Sequence, residues 1–441
     1  MSGSPDSSAV TSVENLTELY QLVAAAVYHA DGLWGEATFD LYARDLPANF
    51  GYAILAGVDE AVDTVLNFSL RPETVDWLRQ LPEFARVSDF FFQSLAHQHF
   101  SGDVWAMPEG SPFFAGEPIL RVCAPLIQCV LLESSLIQRV GFGSAVATRA
   151  SRLALAAGER EVLDFSARRW ACPETARAAS RAAFVGGISS TSNVQAAGSH
   201  AIAPIGALSG TFMAVYRDER RALEAMRVHF PEALQVTIDE DPELAVPRFL
   251  DGRGVPSSVR LSDPYLEQKS AACRRALDEH GLQRVRILAS GGLDEIRVAQ
   301  LTASKAPIDQ FAVGTALVRG IDDLQGLFSF RIAEMWRGTR AEPITAPGSA
   351  PHPGAKQVIR YPHKDVLCLE PEAARLARRG GVPMLHHVVA QGERQGAPAP
   401  LIVARGLRAA GVEFLPPSAK RLRGPKPHDV EISAGVAALE R

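Results

Sequence analysis

The run VRILASGGLDE, Val285 to Glu295, reads as an apolar strand that stops at two glycines and restarts as a helix near Leu293. Ser290, Gly291 and Gly292 form its corner. Glycine lets backbone N–H groups approach an anion closely, and the N-terminus of a following helix favours negative charge. One strand–helix unit later, FAVGTALVRG repeats the arrangement with Gly314 and Thr315. Taken singly, each corner also reads as a tight turn that needs positive φ. Two consecutive corners of this kind make the usual phosphate-binding site of an α/β barrel. The first chemistry suggested is therefore recognition of a phosphate or diphosphate group.

Those corners need a scaffold. VLDFSARR, FVGGISST, AIAPIGALSG, LQVTIDED, SVRLSDP, VRILASGG and IDQFAVGT are short apolar runs that end in small or polar residues. Helical segments such as RALEAMRVHF and LEQKSAACRRALDEHGL lie between most of them. Strand and helix in alternation imply a parallel sheet, and many such units in series suggest a closed barrel with its chemistry at the C-terminal strand ends. Upstream, Leu16 to about Tyr28 has helical spacing, ATFDLYA reads as a strand, and GDVWAMPEG and FFAGEPILRV read as β-structure around turns. Ala124 to Ala157 reads as a long helix interrupted by Gly141-Phe142-Gly143. Beyond about Pro347 the chain is rich in Pro, Gly and Arg. PGAKQVIR reads as a strand there, and the rest as loops and short helices. The expected division is a disordered lead-in at 1–13, an N-terminal α+β domain at 14–125, an α/β barrel at 126–335 and a C-terminal segment at 336–441 packing back on the N-terminal domain.

Composition excludes several classes. Of 441 residues, 47% are hydrophobic and 22% charged, an ordinary globular balance. A formal net charge of -5 argues against nucleic acid or an anionic membrane as partner. No apolar run approaches the roughly 18 residues of a membrane helix. The polar N-terminus has no secretion-signal core, which gives a cytoplasmic expectation. The five cysteines form no CxxC pair, so neither a zinc site nor a disulfide framework is expected.

NLTELYQLVAAAVYHADG, ATFDLYARDLPANFGYAILAG, SGDVWAMPEG, GEPILRV, LDFSARRW, GGISSTSNVQAAG, RLSDPYL, ASGGLDE, IDQFAVGT and PGAKQVIR occur in one order along the chain. In that order they resemble segments of the nicotinate phosphoribosyltransferase family. The resemblance implies an α/β fold, an irregular barrel of the type II phosphoribosyltransferase kind with an N-terminal α+β domain. It implies a homodimer with active sites at the subunit interface. It also assigns roles. Tyr20 of the partner subunit and Phe165 would cover the two faces of a planar acceptor, with Ser192 at its edge. Arg168 would act beside the heterocycle and the pyrophosphate, with Arg169 next to it. Ser262, Ser290, Gly291, Gly292, Gly314 and Thr315 would face the donor and its phosphates. Two aromatic faces suit a flat acceptor, and arginine forks suit a diphosphate.

Three departures stand against the family pattern. Where the family has an LDSGD-type segment this chain has Leu261-Ser262-Asp263-Pro264-Tyr265. Where it has ASGDLDE this chain has ASGGLDE. The family aspartates at those two places grip ribose hydroxyls and the metal of phosphoribosyl pyrophosphate; Ser262 and Gly292 replace them. Asp263, one place along, is the carboxylate left to compensate and is counted with Arg168 as a catalytic candidate. It also reads as a helix N-cap with Pro264 in the first turn. In SGTFMAVY, Ser209 to Tyr216, Ala214 or Val215 stands where the family has the histidine that takes a phosphoryl group from ATP. His200 and His229 are nearest in sequence and fit no motif.

The simplest function that keeps the phosphate corner and loses the ribose carboxylates is glycosyl transfer with a different sugar. In these losses the chain resembles a branch of the family, S-glycosyltransferases of lincosamide antibiotic biosynthesis. That resemblance implies transfer of an octose from a GDP-sugar to the sulfur of ergothioneine. The alternatives are synthesis of nicotinate mononucleotide from phosphoribosyl pyrophosphate, and an inactive regulatory paralogue. No cofactor is expected beyond the small-molecule donor and acceptor, with magnesium as an optional companion of the diphosphate.

Overall fold

The structure is a computed structural model that describes residues 16–206, 210–230, 235–238, 241–250, 256–345 and 352–440. The expected lead-in at 1–13 lies outside them. The chain divides into two compact units: Arg149–Arg319 is one, and Met1–Thr148 with Gly320–Arg441 is the other.

The Arg149–Arg319 unit is built on a seven-stranded sheet. Its strands, numbered along the chain, are β1 (Glu161–Asp164), β2 (Ser190–Thr191), β3 (Ala203–Pro204), β4 (Gln235–Ile238), β5 (Ser258–Ser262), β6 (Arg286–Ser290) and β7 (Gln310–Val313). They lie in the order β3-β2-β1-β7-β6-β5-β4, and every neighbouring pair is parallel. A parallel sheet covered on both faces needs continuous apolar strands rather than alternating ones. β7 is buried throughout, and β6 is buried after its first residue. Leu163, Leu288 and Ala312 from three adjacent strands form one core cluster. Helices separate the strands, among them Pro173–Val185, Leu266–Glu279 and Glu295–Ala303.

This is the irregular α/β barrel architecture, with one difference from a closed barrel. Among the described residues β3 and β4 end the sheet and do not pair with each other, so the wall is open. β3 is also shorter than the run AIAPIGALSG suggested, and Gly210–Tyr216 is helical.

The other unit carries the N-terminal α+β fold. Its antiparallel sheet runs Arg340–Pro343, Phe328–Arg337, Glu36–Ala43, Leu120–Pro125, Asp103–Ala106, His386–Ala390 and Glu393–Arg394. Leu19–Ala30 is the opening helix, three residues later than the spacing suggested. Gly141-Phe142-Gly143 interrupts nothing, because Leu126–Ala157 is one 32-residue helix. The glycines serve packing instead. A Cβ on Gly143 would lie 2.8 Å from the carbonyl carbon and oxygen of Ala56, so the helix touches backbone there. The C-terminal region is more regular than its composition implied. Lys356–Arg360, Lys364–Leu369, Val382–Pro383 and Asp429–Ile432 form a second sheet, and Leu401–Phe414 is a 14-residue helix.

Candidate active site

The sheet order brings distant residues together. Adjacent strands β2, β1, β7, β6 and β5 end, in that spatial order, in Thr191-Ser192, Phe165 to Arg169, Gly314-Thr315, Ser290 to Gly292, and Ser262-Asp263. All lie on the C-terminal edge of the parallel sheet, where open α/β folds place their ligands.

The β6 corner uses its glycines for conformation. Gly291 has φ of 94° and Gly292 of 67°, both left-handed. Gly291 also makes a close approach: a Cβ there would lie 2.8 Å from Ser262 Oγ. Gly292 differs, since a Cβ on it would meet nothing within 4 Å. Ser262 and Ser290 are register partners. The Ser290 hydroxyl donates to Leu261 O at 3.2 Å and accepts from Arg260 Nε at 2.9 Å. After the corner, Asp294 caps helix Glu295–Ala303 by accepting from Arg297 N at 2.8 Å.

The β7 corner works otherwise. Gly314 has no positive φ, so its glycine serves space and not conformation. A Cβ there would lie 2.8 Å from Arg169 Nε and 3.0 Å from Phe165 O. The helix that follows, Thr315–Val318, is a single turn. Such a turn presents a few free N–H groups rather than a long helix dipole.

Phe165 N donates to Val313 O at 2.7 Å, and the half-buried ring packs on Leu163, Leu288 and Ala312 beside Ile205. Arg168 and Arg169 occupy a short 3-10 turn and are exposed. Among the described residues neither has an ion-pair partner, and Arg169 lies against the Gly314 corner. Ser192 N donates to Asp164 O at 2.8 Å, fixing Ser192 at the end of β2.

Asp263 does not cap a helix. Its Oδ1 accepts from Tyr265 N at 2.7 Å, its Oδ2 pairs with Lys269 Nζ at 3.1 Å, and the helix begins at Leu266 with Tyr265 as cap. Pro264 therefore falls in the turn before the helix. The Tyr265 N–H and the Lys269 ammonium hold the Asp263 carboxyl below its ordinary range.

One residue of this edge escaped the sequence reading. Asp164, fully buried at the end of β1, accepts from Ser166 N (2.7 Å), Ser166 Oγ (2.5 Å), Ser180 Oγ (2.8 Å) and Thr191 Oγ1 (2.8 Å). Its signal was a carboxylate closing the strand Glu161–Asp164, after Val162 and Leu163 and directly before Phe165.

Tyr20 belongs to the other unit and is 52% exposed. Its hydroxyl donates to Glu133 Oε2 at 3.0 Å, and Arg331 holds the same carboxylate at 3.0 Å. Partial burial and the Glu133 charge push the Tyr20 phenol up to about 12, so it is neutral at working pH. Ala214 and Val215 are exposed on helix Gly210–Tyr216, and neither side chain can accept a phosphoryl group. Ser209 of the same stretch lies outside the described residues. Among the described residues no group of three or more His, Cys, Asp or Glu side chains could hold a metal ion, and no helix is long and apolar enough to cross a membrane.

Comparison with known proteins places this geometry. Residues 16–141 match the family model of the nicotinate phosphoribosyltransferase (NAPRTase) N-terminal domain. The chain is 32% identical over 434 residues to nicotinate phosphoribosyltransferase pncB2 of Mycobacterium tuberculosis, covering 96% of this chain and 91% of that one. It is 31% identical over 324 residues to the nicotinate phosphoribosyltransferase of Bacillus subtilis, covering 69% of this chain and 64% of that one. Among solved structures, human nicotinic acid phosphoribosyltransferase shares the fold with a TM-score of 0.81 at 23% identity, over 96% of this chain and 99% of that one. End-to-end similarity at this level, on a parallel sheet whose C-terminal edge gathers the expected segments, means that the chain belongs to the nicotinate phosphoribosyltransferase family.

Proposed function

We propose that the protein transfers a glycosyl group from a donor with a phosphate-bearing anomeric carbon to a flat heterocycle, at the C-terminal edge of β1, β2, β5, β6 and β7. The observation that carries this reading is the pair Arg168 and Arg169, exposed and without ion-pair partners among the described residues, at the end of β1 next to the β7 corner, where Arg169 lies against Gly314, with the second glycine corner on the following strand β6. Such a set suits a diphosphate leaving group. The acceptor's lone pair forms a bond to the anomeric carbon as the carbon–oxygen bond breaks, and the diphosphate departs with the bonding electrons. Arg168, Arg169 and the loop N–H groups take up the charge that develops on it. Phe165 supports one face of the acceptor and Ser192 its edge. Tyr20 of the partner subunit would cover the other face, so the working form is a homodimer.

The relatives favour nicotinate as acceptor and phosphoribosyl pyrophosphate as donor, giving nicotinate mononucleotide. The absent histidine at Ala214 and Val215 means that this reaction would run without phosphoryl coupling to ATP.

A second reading rests on a different observation. Ser262 and Gly292 put no carboxylate where the family grips ribose, and open space surrounds Gly292. Losing hydrogen bonds to sugar hydroxyls costs on the order of a few kcal/mol in a desolvated site. The vacated space suits a bulkier sugar, such as an octose delivered as its GDP derivative. The acceptor would then be the thione sulfur of ergothioneine, whose imidazole loses a proton after attack.

Mass spectrometry of two parallel incubations separates the readings. One supplies nicotinate with phosphoribosyl pyrophosphate, with and without ATP; the other supplies ergothioneine with a GDP-activated octose. Nicotinate mononucleotide formed equally with and without ATP supports the first reading. An ergothioneine conjugate with GDP released supports the second. No product in either overturns both and leaves a regulatory paralogue.

A further inference from the structure

We propose that Asp164 is the positioning residue that holds the leaving-group half and the acceptor half of the site in one geometry. The role rests on the functional reading above for what the two halves bind. Burying a carboxylate costs several kcal/mol unless its oxygens are satisfied. Among the described residues four neutral donors meet it, and they lie on three separate segments.

Oδ1 takes Ser166 N at 2.7 Å and Ser166 Oγ at 2.5 Å, which fixes the turn carrying Arg168 and Arg169. Trp170 Nε1 donates to the same Ser166 hydroxyl at 2.9 Å and closes that turn. Oδ2 takes Ser180 Oγ on helix Pro173–Val185 and Thr191 Oγ1 at the end of β2, both at 2.8 Å. Thr191 Oγ1 in turn accepts from Asn193 N at 3.1 Å. Ser192, the acceptor-edge residue, lies between these two and donates its own N–H to Asp164 O.

One oxygen therefore sets the arginine turn, and the other sets the Ser192 strand end. An Asn side chain has the same shape but keeps only one acceptor oxygen, so Ser180 Oγ and Thr191 Oγ1 stay bonded only by turning round to accept from its amide nitrogen. Hydrogen bonds to an ionised acceptor are roughly twice as strong as neutral ones. That strength suits a hub whose product is geometry, since small displacements of binding groups cost rate steeply.

The split between the two oxygens gives a test. Calorimetry measures binding of inorganic pyrophosphate, and of whichever heterocycle, nicotinate or ergothioneine, the wild-type protein takes. Asp164→Asn is expected to weaken both by on the order of tenfold with its circular dichroism unchanged. Ser166→Ala is expected to weaken pyrophosphate selectively, and Thr191→Val the heterocycle selectively. If the wild-type protein binds pyrophosphate and the folded Asp164→Asn variant binds both ligands equally well, the positioning role is overturned and the functional reading stands. If Asp164→Asn does not fold, the single-donor variants decide, and equal losses of both ligands in each would overturn the role. A wild-type protein that binds neither pyrophosphate nor either heterocycle overturns the functional reading and this inference with it.

Discussion

At the residue scale, Gly292 is the position at which the two proposed donors can be told apart. Its φ of 67° is left-handed, a region that aspartate tolerates better than most residues. Its absent Cβ faces open space, so an added side chain meets nothing. Gly292→Asp is therefore expected to fold, at a cost of about 1 kcal/mol for the backbone conformation. If phosphoribosyl pyrophosphate is the donor, the new carboxylate should lower its KM. If the donor carries a larger sugar, the same variant should lose activity through crowding. Steady-state kinetics with both donors checks this, and an unchanged KM for each would mean that position 292 does not face the sugar. Gly291 offers less freedom, because a Cβ there would lie 2.8 Å from Ser262 Oγ.

At the scale of the element, propensity and packing oppose each other in helix Leu126–Ala157. Replacing a mid-helix glycine by alanine gains about 1 kcal/mol of helix propensity. At Gly143 the added methyl would lie 2.8 Å from Ala56 C and O and 3.0 Å from Gly57 N, against backbone that cannot rotate away. Overpacking of that kind typically costs about 1–3 kcal/mol. Gly143→Ala is expected to be net destabilising, read as a lower urea midpoint with the slope unchanged. A raised midpoint would mean that the contact yields. The helix was legible in the sequence as a long helical stretch. Its continuity was not, because glycine pairs look the same whether they end a helix or let it touch another backbone.

At the scale of the molecule, the unit that joins the N-terminal and C-terminal parts of the chain is pinned by a buried ion pair. Lys356 Nζ, from PGAKQVIR, lies 2.7 Å from Asp40 Oδ2, from ATFDLYA, and both side chains are at most 1% exposed. Removing one partner of a buried pair costs about 3–5 kcal/mol, because a charge is left uncompensated. Lys356→Met should lower stability by that amount, and Lys356→Met with Asp40→Leu should recover much of it. A single variant as stable as wild type in calorimetric melting would sink the idea. Dimer function is tested by mixing. Tyr20→Ala and Arg168→Ala should each be inactive alone. Refolded together, they should regain roughly a quarter of wild-type sites, one intact site in each mixed dimer. No recovery would place Tyr20 outside the partner's site.

The sequence by itself determined the parallel sheet, the two glycine corners and the family. Continuous apolar runs ending in Gly and Ser are local signals, and ordered motifs are read one at a time. It also exposed the departures at Ser262, Gly292 and Ala214, since a missing carboxylate or histidine is visible without coordinates. Tertiary structure alone decided that Gly314 is required for space beside Arg169 and Gly292 for conformation. It alone decided that Asp263 is tied to Tyr265 N and Lys269, and that Asp164 gathers Ser166, Ser180 and Thr191. The Gly292 conformation and the Asp263 ties are short-range, set by where a turn ends and a helix begins, which periodicity places only to within a few residues. The Gly314 and Asp164 contacts depend on which segments the sheet order makes neighbours, and strands β1, β7 and β6, adjacent in space, are separated in the chain by more than a hundred residues between β1 and β6. Local periodicity carries no information about contacts over that distance.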